Sequence, residues 1–110
     1  MEIQRHRLLL HDKELVFADP ILSADRWKNK IVIVFKTDFD AGFDNLYCYD
    51  ENQNLIWRIQ QVPKDIGGTA RATYVHVCIK NGLCTAVDFA GRRFTVNMDN
   101  GKIVSKTIVK

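Results

Sequence analysis

The chain has 110 residues, enough for one domain spanning residues 1–110 with a core that needs no covalent staples. Its 46% hydrophobic and 26% charged residues are those of an ordinary soluble globular protein, and no run approaches the ~18 apolar residues of a membrane span. Net charge is only +3 but unevenly spread: Thr37–Trp57 holds five acids and no Lys or Arg, whereas Arg58–Lys110 holds nine basic residues and three acids.

In chain order the first segment, "MEIQRHRLLLHDKE", has too short an apolar run for a secretory signal, so the expected location is the cytoplasm. "RHRLLL" and "ELVFA" flank the polar turn His11–Lys13 and predict a first hairpin. "DPILSADRWKNK" follows; Pro20 and the charges predict a connection, with a helical turn near Ser23–Trp27. "KIVIVFK" is a nearly continuous apolar run, which predicts a central strand covered on both faces. After the loop "TDFDAGFD" comes the hairpin "NLYCYD–ENQN–LIWRIQ", then a second connection, "QVPKDIGGTARA", broken by Pro63 and Gly67-Gly68. Two more hairpins end the chain: "TYVHVCIK–NG–LCTAVDF" and "RRFTVNMD–NGK–IVSKTIVK". The fold class expected is all-β and antiparallel, with eight or nine strands in two twisted sheets and at most one short helical turn.

Three cysteines, Cys48, Cys78 and Cys84, are an odd number, which argues against a disulfide framework. A two-residue Asn81-Gly82 loop sets Cys78 opposite Thr85 and Ile79 opposite Cys84, so Cys78 and Cys84 point to opposite faces and cannot bridge. In that hairpin one face carries Val75, Val77, Ile79, Cys84 and Ala86, the other Tyr74, His76, Cys78, Leu83, Val87 and Phe89. With both faces this apolar, each is expected to be covered.

Catalytic chemistry finds no set of residues with suitable spacing, so the expectation is a non-enzyme without cofactor or metal. Ser23 and Ser105 lie outside any Gly-x-Ser-x-Gly context, and His6, His11 and His76 have no zinc-ligand spacing. His76, between Val75 and Val77, reads as a half-buried strand residue, and Cys48 as a small core filler.

"DFDAGFD" admits three readings. Calcium binding would use spaced carboxylates, but from Asp38 the sixth position is Phe43 and the twelfth Tyr49, where an EF-type loop needs Gly and Glu. A second reading is a solvated loop with its phenylalanines tucked into the core. The third is a docking loop in which aromatic anchors alternate with carboxylates that stand in for phosphates in a basic cleft. For that reading the binding residues are Asp38, Phe39, Asp40, Phe43 and Asp44, with Asp50 and Glu51 on the neighbouring turn. Nucleic acid as a partner is disfavoured, because Arg92, Arg93, Lys102, Lys106 and Lys110 are spread as ordinary solvated charges.

"LYCYDENQNLIWRI" and "FTVNMDNGKIVSKTI" form an internal repeat in which Asp50 aligns with Asp99 and Leu55-Ile56 with Ile103-Val104. This resembles the outer half of a blade in the PQQ-type and WD40-like propeller families, with Trp57 as the aromatic that follows the turn. A closed propeller needs at least ~4 blades, so the strands expected here must pack as a sandwich or close a ring by self-association; the sandwich is preferred. In size, composition and fold style the chain also resembles the small immunity proteins of bacterial contact-dependent inhibition and related polymorphic toxin systems. That resemblance implies a stoichiometric inhibitor of a cognate toxin, a basic nuclease domain in particular. The alternative is a self-assembling propeller-like module that binds a small ligand or glycan.

Overall fold

A computed structural model describes residues 1–36, 43–67 and 71–108. Among these residues, eleven strands form three antiparallel sheets, each a simple meander in chain order. The first sheet is β1 (Glu2–Gln4), β2 (Arg7–Leu9) and β3 (Glu14–Val16). The second is β4 (Ile21–Trp27), β5 (Lys30–Phe35), β6 (Leu46–Asp50) and β7 (Leu55–Arg58). A short helix, α1 (Lys64–Gly67), precedes the third sheet of β8 (Tyr74–Lys80), β9 (Leu83–Asp88), β10 (Arg92–Val96) and β11 (Ile103–Ile108).

The sheets stack in series, and their first strands share one side: β1 lies beside β4, and β4 beside β8. This is the order of propeller blades rather than the two-sheet sandwich expected. The middle sheet is buried on both faces, which is why "KIVIVFK" is continuously apolar. Ile31, Ile33 and Phe35 pack with Leu8, Leu15 and Phe17 of the first layer. Val32, Val34, Leu46, Cys48 and Trp57 pack with Tyr74, Val77, Cys84, Ala86 and Phe94 of the third.

Two expectations are corrected. The strand count rises from eight or nine to eleven because β1, only three residues long, is too short to display an alternating pattern, and β4 lies in the segment expected to be a connection. The predicted helical turn at Ser23–Trp27 is instead strand β4, and the helix lies at Lys64–Gly67. Polar residues in β4 do work that elsewhere falls to backbone groups. Ser23 Oγ accepts from Val77 N at 3.2 Å and Asp25 Oδ2 from Ile79 N at 2.7 Å, so side chains bridge the first strands of adjacent sheets.

The internal repeat also shifts register. Asp50 Oδ1 accepts from Asn52 N at 2.8 Å, and its counterpart is Asn97, whose Oδ1 accepts from Asp99 N at 2.8 Å. Asp99 is thus inside the turn, two residues past the position matched to Asp50. The residues that need left-handed backbone are Gln53 (φ 64°) in the first turn and Gly101 (φ 76°) in the second. Trp57 crosses from the middle sheet to the second turn, where Nε1 donates to Met98 O at 2.8 Å.

The register places Cys78 opposite Thr85 and Cys84 opposite Ile79, as the hairpin geometry predicts, and all three thiols are free. Burial pushes the Cys48 thiol up to about 11 and the Cys84 thiol up to about 12. At mildly alkaline pH a thiol reagent should therefore modify partly exposed Cys78 in the folded protein, and Cys48 and Cys84 only on unfolding. Mass mapping of native alkylation checks this; rapid native labelling of Cys48 or Cys84 would contradict it.

Candidate functional site

Antiparallel meanders put alternate turns at opposite ends of the stack. One end carries the β5–β6 connection, the start of β8 and the β9–β10 turn. Its framework is a set of buried polar groups around the start of β6. Asn45 is 1% exposed; its Nδ2 donates to Phe35 O at 2.7 Å and Tyr74 O at 2.9 Å, and its Oδ1 accepts from Tyr74 N at 2.7 Å. One side chain thus ties β5 to β8 where two sheets meet.

Beside it, Asp44 adopts left-handed backbone (φ 55°), donates its N–H to Ala72 O at 2.8 Å, and is buried. Its Oδ2 accepts from Arg71 Nη2 at 2.6 Å. Oδ1 of Asp44 and the Tyr74 hydroxyl are buried without a hydrogen-bond partner among the described residues. Burial, and next the Asp44 charge, raise the pKa of the Tyr74 phenol. Arg58 holds the approach to this corner, with Nε donating to Asp44 O at 3.0 Å and Nη2 to Phe43 O at 3.1 Å.

Two aromatic rings, Phe43 and Phe89, are exposed at this end beside Lys36, Arg58 and Arg71. Phe43 is 38% exposed, with the Arg71 guanidinium 5.1 Å from its ring centroid. Phe89 is 85% exposed and lies on a hydrogen-bonded turn. Its N–H donates to Thr73 O at 2.9 Å, and Gly91, at φ 86°, donates to Asp88 O at 3.1 Å. Buried Asp88 accepts from Arg92 N at 2.7 Å and from Arg92 Nε at 2.6 Å, and Arg92 Nη2 donates to Arg71 O at 3.1 Å. A concavity of about 360 Å³ lies among Arg71, Thr73, Asp88, Phe89, Ala90 and Arg92.

Of the residues expected to bind a partner, Asp38, Phe39 and Asp40 lie outside the described residues. Phe43 is here and exposed; Asp44 is here, buried and already paired. Asp50 and Glu51 are not brought to the same place. They cap the β6–β7 turn at the opposite end of β6, about 16 Å away for five residues of strand. There Asp50 also accepts from Asn54 N at 2.9 Å and from Asn54 Nδ2 at 3.0 Å, which hold its carboxyl below the usual range. Glu51 pairs with Arg26, and its carbonyl accepts from Lys13 Nζ at 3.0 Å.

Phe89 is the residue the sequence reading did not assign to a site. The signal was present: a large aromatic between Asp88 and Ala90-Gly91, at a strand end where a turn was due. At the far end a wider cleft of about 570 Å³ opens beside Trp27, Lys30, Leu83, Met98 and Asp99, with Trp27 packed close to Gly82. His76 is exposed, with Nδ1 3.3 Å from Ser23 Oγ. Among the described residues no three His, Cys, Asp or Glu side chains converge to hold a metal ion, and no helix is long and apolar enough to cross a membrane.

A family model matches residues 1–108, nearly the whole chain. The chain belongs to the family described as "Domain of unknown function (DUF7957)". No curated protein matches it. Among solved structures, it is similar to the crystal structure of BamB from Moraxella catarrhalis, with a TM-score of 0.60 at 14% identity, over 87% of this chain and 27% of that one. The chain thus spans about a quarter of that solved chain, and the likeness bears on fold alone: this member of the DUF7957 family has a propeller-like arrangement of sheets.

Proposed function

We propose that the protein is a non-catalytic protein-binding module that docks a partner through the end of the stack bearing Phe43 and Phe89. The observation that supports this most is Phe89, an aromatic side chain 85% exposed on a turn braced by the Asp88–Arg92 pair. A ring held out on a rigid support loses little conformational freedom on binding, which suits it to anchor an interface. Asp38 and Asp40 lie within six residues of Phe43 in sequence, which adds negative charge and favours a basic partner. Such a partner fits an immunity protein that covers the basic active-site cleft of a cognate toxin, a nuclease domain in particular.

The test is capture from the native host with three baits: the unmodified chain, Phe89→Ala, and Asp38→Lys/Asp40→Lys. The reading expects one stoichiometric partner that is toxic when expressed alone. Phe89→Ala should weaken its binding by roughly tenfold or more, as an aromatic anchor does. The lysine variant should slow association and flatten its salt dependence. A partner retained equally by all three baits would remove this end from the interface.

A further inference from the structure

We propose that an aromatic recess beside the seam between the first and middle sheets binds a small quaternary ammonium compound through its trimethylammonium group. The inference is independent of the docking end proposed above, since it uses none of Phe43, Phe89 or the acids around them.

The two-residue period of a strand brings the rings together. On β5, Ile31, Ile33 and Phe35 share the face of the middle sheet turned toward the first, and Tyr49 and Tyr47 lie opposite Ile31 and Ile33 on β6. Phe17, one residue past β3, reaches the same place from the first sheet, fixed by its N–H, which donates to His6 O at 2.8 Å. Tyr47 and Tyr49 stand in nearly parallel planes, 20° apart with centroids at 6.4 Å, and Phe35 meets them at 72° and 89°. Phe17 lies 5.3 Å from Phe35 and 4.9 Å from Tyr49, centroid to centroid. A recess of about 180 Å³ opens among these four rings, Ala18 and Asp19. Phe17 and Phe35 are buried, whereas Tyr47 and Tyr49 are half-buried and leave ring surface open to it.

The edge of an apolar core would account for the buried rings alone. The charge beside them says what the recess takes. Among the described residues that line it, only Asp19 is charged. Its carboxylate is exposed and has no ion-pair or hydrogen-bond partner among the described residues. Burial, then the Tyr47 phenol and the Asp19 carboxylate, raise the pKa of the Tyr49 phenol, which sets that carboxylate close to the Tyr49 ring.

Aromatic faces carry the negative lobe of the ring quadrupole, so several rings around one recess favour a cation without offering it a hydrogen bond. A primary ammonium or a guanidinium would leave N–H donors unpaired against them; a trimethylammonium has none to leave. The cluster already attracts one cation, since the Arg58 guanidinium lies 5.1 Å from the Tyr47 centroid. That group is tethered to Asp44 O and Phe43 O and does not line the recess.

Titration calorimetry with choline chloride, run against potassium chloride at equal ionic strength, tests this. Saturable binding is expected at millimolar concentration or below. The uncharged carbon isostere of choline, neohexyl alcohol, should bind about tenfold more weakly or worse, because it fills the recess without the charge. Ethanolamine, which keeps a charge but carries N–H donors, should lose about as much. Tyr49→Ala should weaken choline binding by about tenfold, and Tyr49→Phe, which keeps the ring, by less than about twofold. Asp19→Asn, at an exposed position, should keep the native melting temperature and weaken binding by about two- to fivefold at low salt. Ring-proton resonances of Phe35, Tyr47 and Tyr49 should shift as choline is added. No saturable binding to the unmodified chain, equal affinity for neohexyl alcohol, shifts confined to other aromatic residues, or binding indifferent to both Tyr49→Ala and Asp19→Asn would each overturn the proposal. Tighter binding of a trimethyllysine peptide than of choline would overturn the assignment to a small free compound.

Discussion

Gly101→Ala should destabilise the protein by about 2–4 kcal/mol, a large loss for one methyl group. Two terms combine. Gly101 adopts φ 76°, where a side chain costs roughly 1 kcal/mol. A Cβ there would also lie 2.5 Å from Trp57 Cε3 and 2.8 Å from Cδ2, so the indole or the turn must move, at roughly 1–3 kcal/mol. The ring cannot retreat cheaply. It is 6% exposed, and its Nε1–H is committed to Met98 O. Trp57→Ala should itself cost about 3–5 kcal/mol, since it empties the seam between the second and third sheets. The two losses should not add: with Trp57 removed, Gly101→Ala should cost only the backbone term. Denaturant titrations of the four members of this cycle give the answer, and additive losses would show that the indole does not hold the turn.

Asn45→Asp should lower stability by about 3–5 kcal/mol at neutral pH, although the two side chains are nearly isosteric. The amide donates to Phe35 O and Tyr74 O from a site with 1% exposure. A carboxylate there would direct negative charge at two carbonyl oxygens, next to the buried Asp44. Protonation relieves much of this. In the folded state the new carboxyl should titrate above its unfolded value, so the deficit is full above the folded pKa and shrinks as pH falls through it toward the unfolded value of about 4. Asn45→Ala should cost less, about 1–3 kcal/mol, because it leaves buried backbone groups unpaired without adding charge. Unfolding curves across pH distinguish the cases. Equal, pH-independent losses for both variants would mean that the amide bonds are not what holds β5 to β8.

The propeller-like hairpins were readable in the sequence because their causes are local. Asn81-Gly82 sets the β8–β9 register whatever surrounds it, and the opposite orientations of Cys78 and Cys84 follow from that register alone. The Asp50 turn is likewise closed by bonds to Asn52 and Asn54, two and four residues away. The unbroken apolar run of β5 announced a strand with a layer on either side.

Other features depend on residues far apart in the chain. Strand β4 read as a connection because Ser23 and Asp25 look solvated until β8, 54 residues on, supplies the N–H groups they accept. The proposed site divided for a similar reason. Asp44 and Asp50 are six positions apart, and whether they share a surface depends on the strand between them, which carries them to opposite ends of the sheet. Arg71 then removes Asp44 from the exposed set through a contact across 27 residues.

What the sequence determined by itself is therefore the class of the fold, its hairpins and the sign of charge along each segment, since periodicity, turn chemistry and composition act over a few residues. Tertiary structure alone decided that the described strands form three sheets stacked in series, that Phe89 stands exposed, and that Asp44 is buried while Asp50 lies at the other end of its strand. Those outcomes turn on which surfaces meet when separate segments pack, and burial is a property of the meeting rather than of either segment.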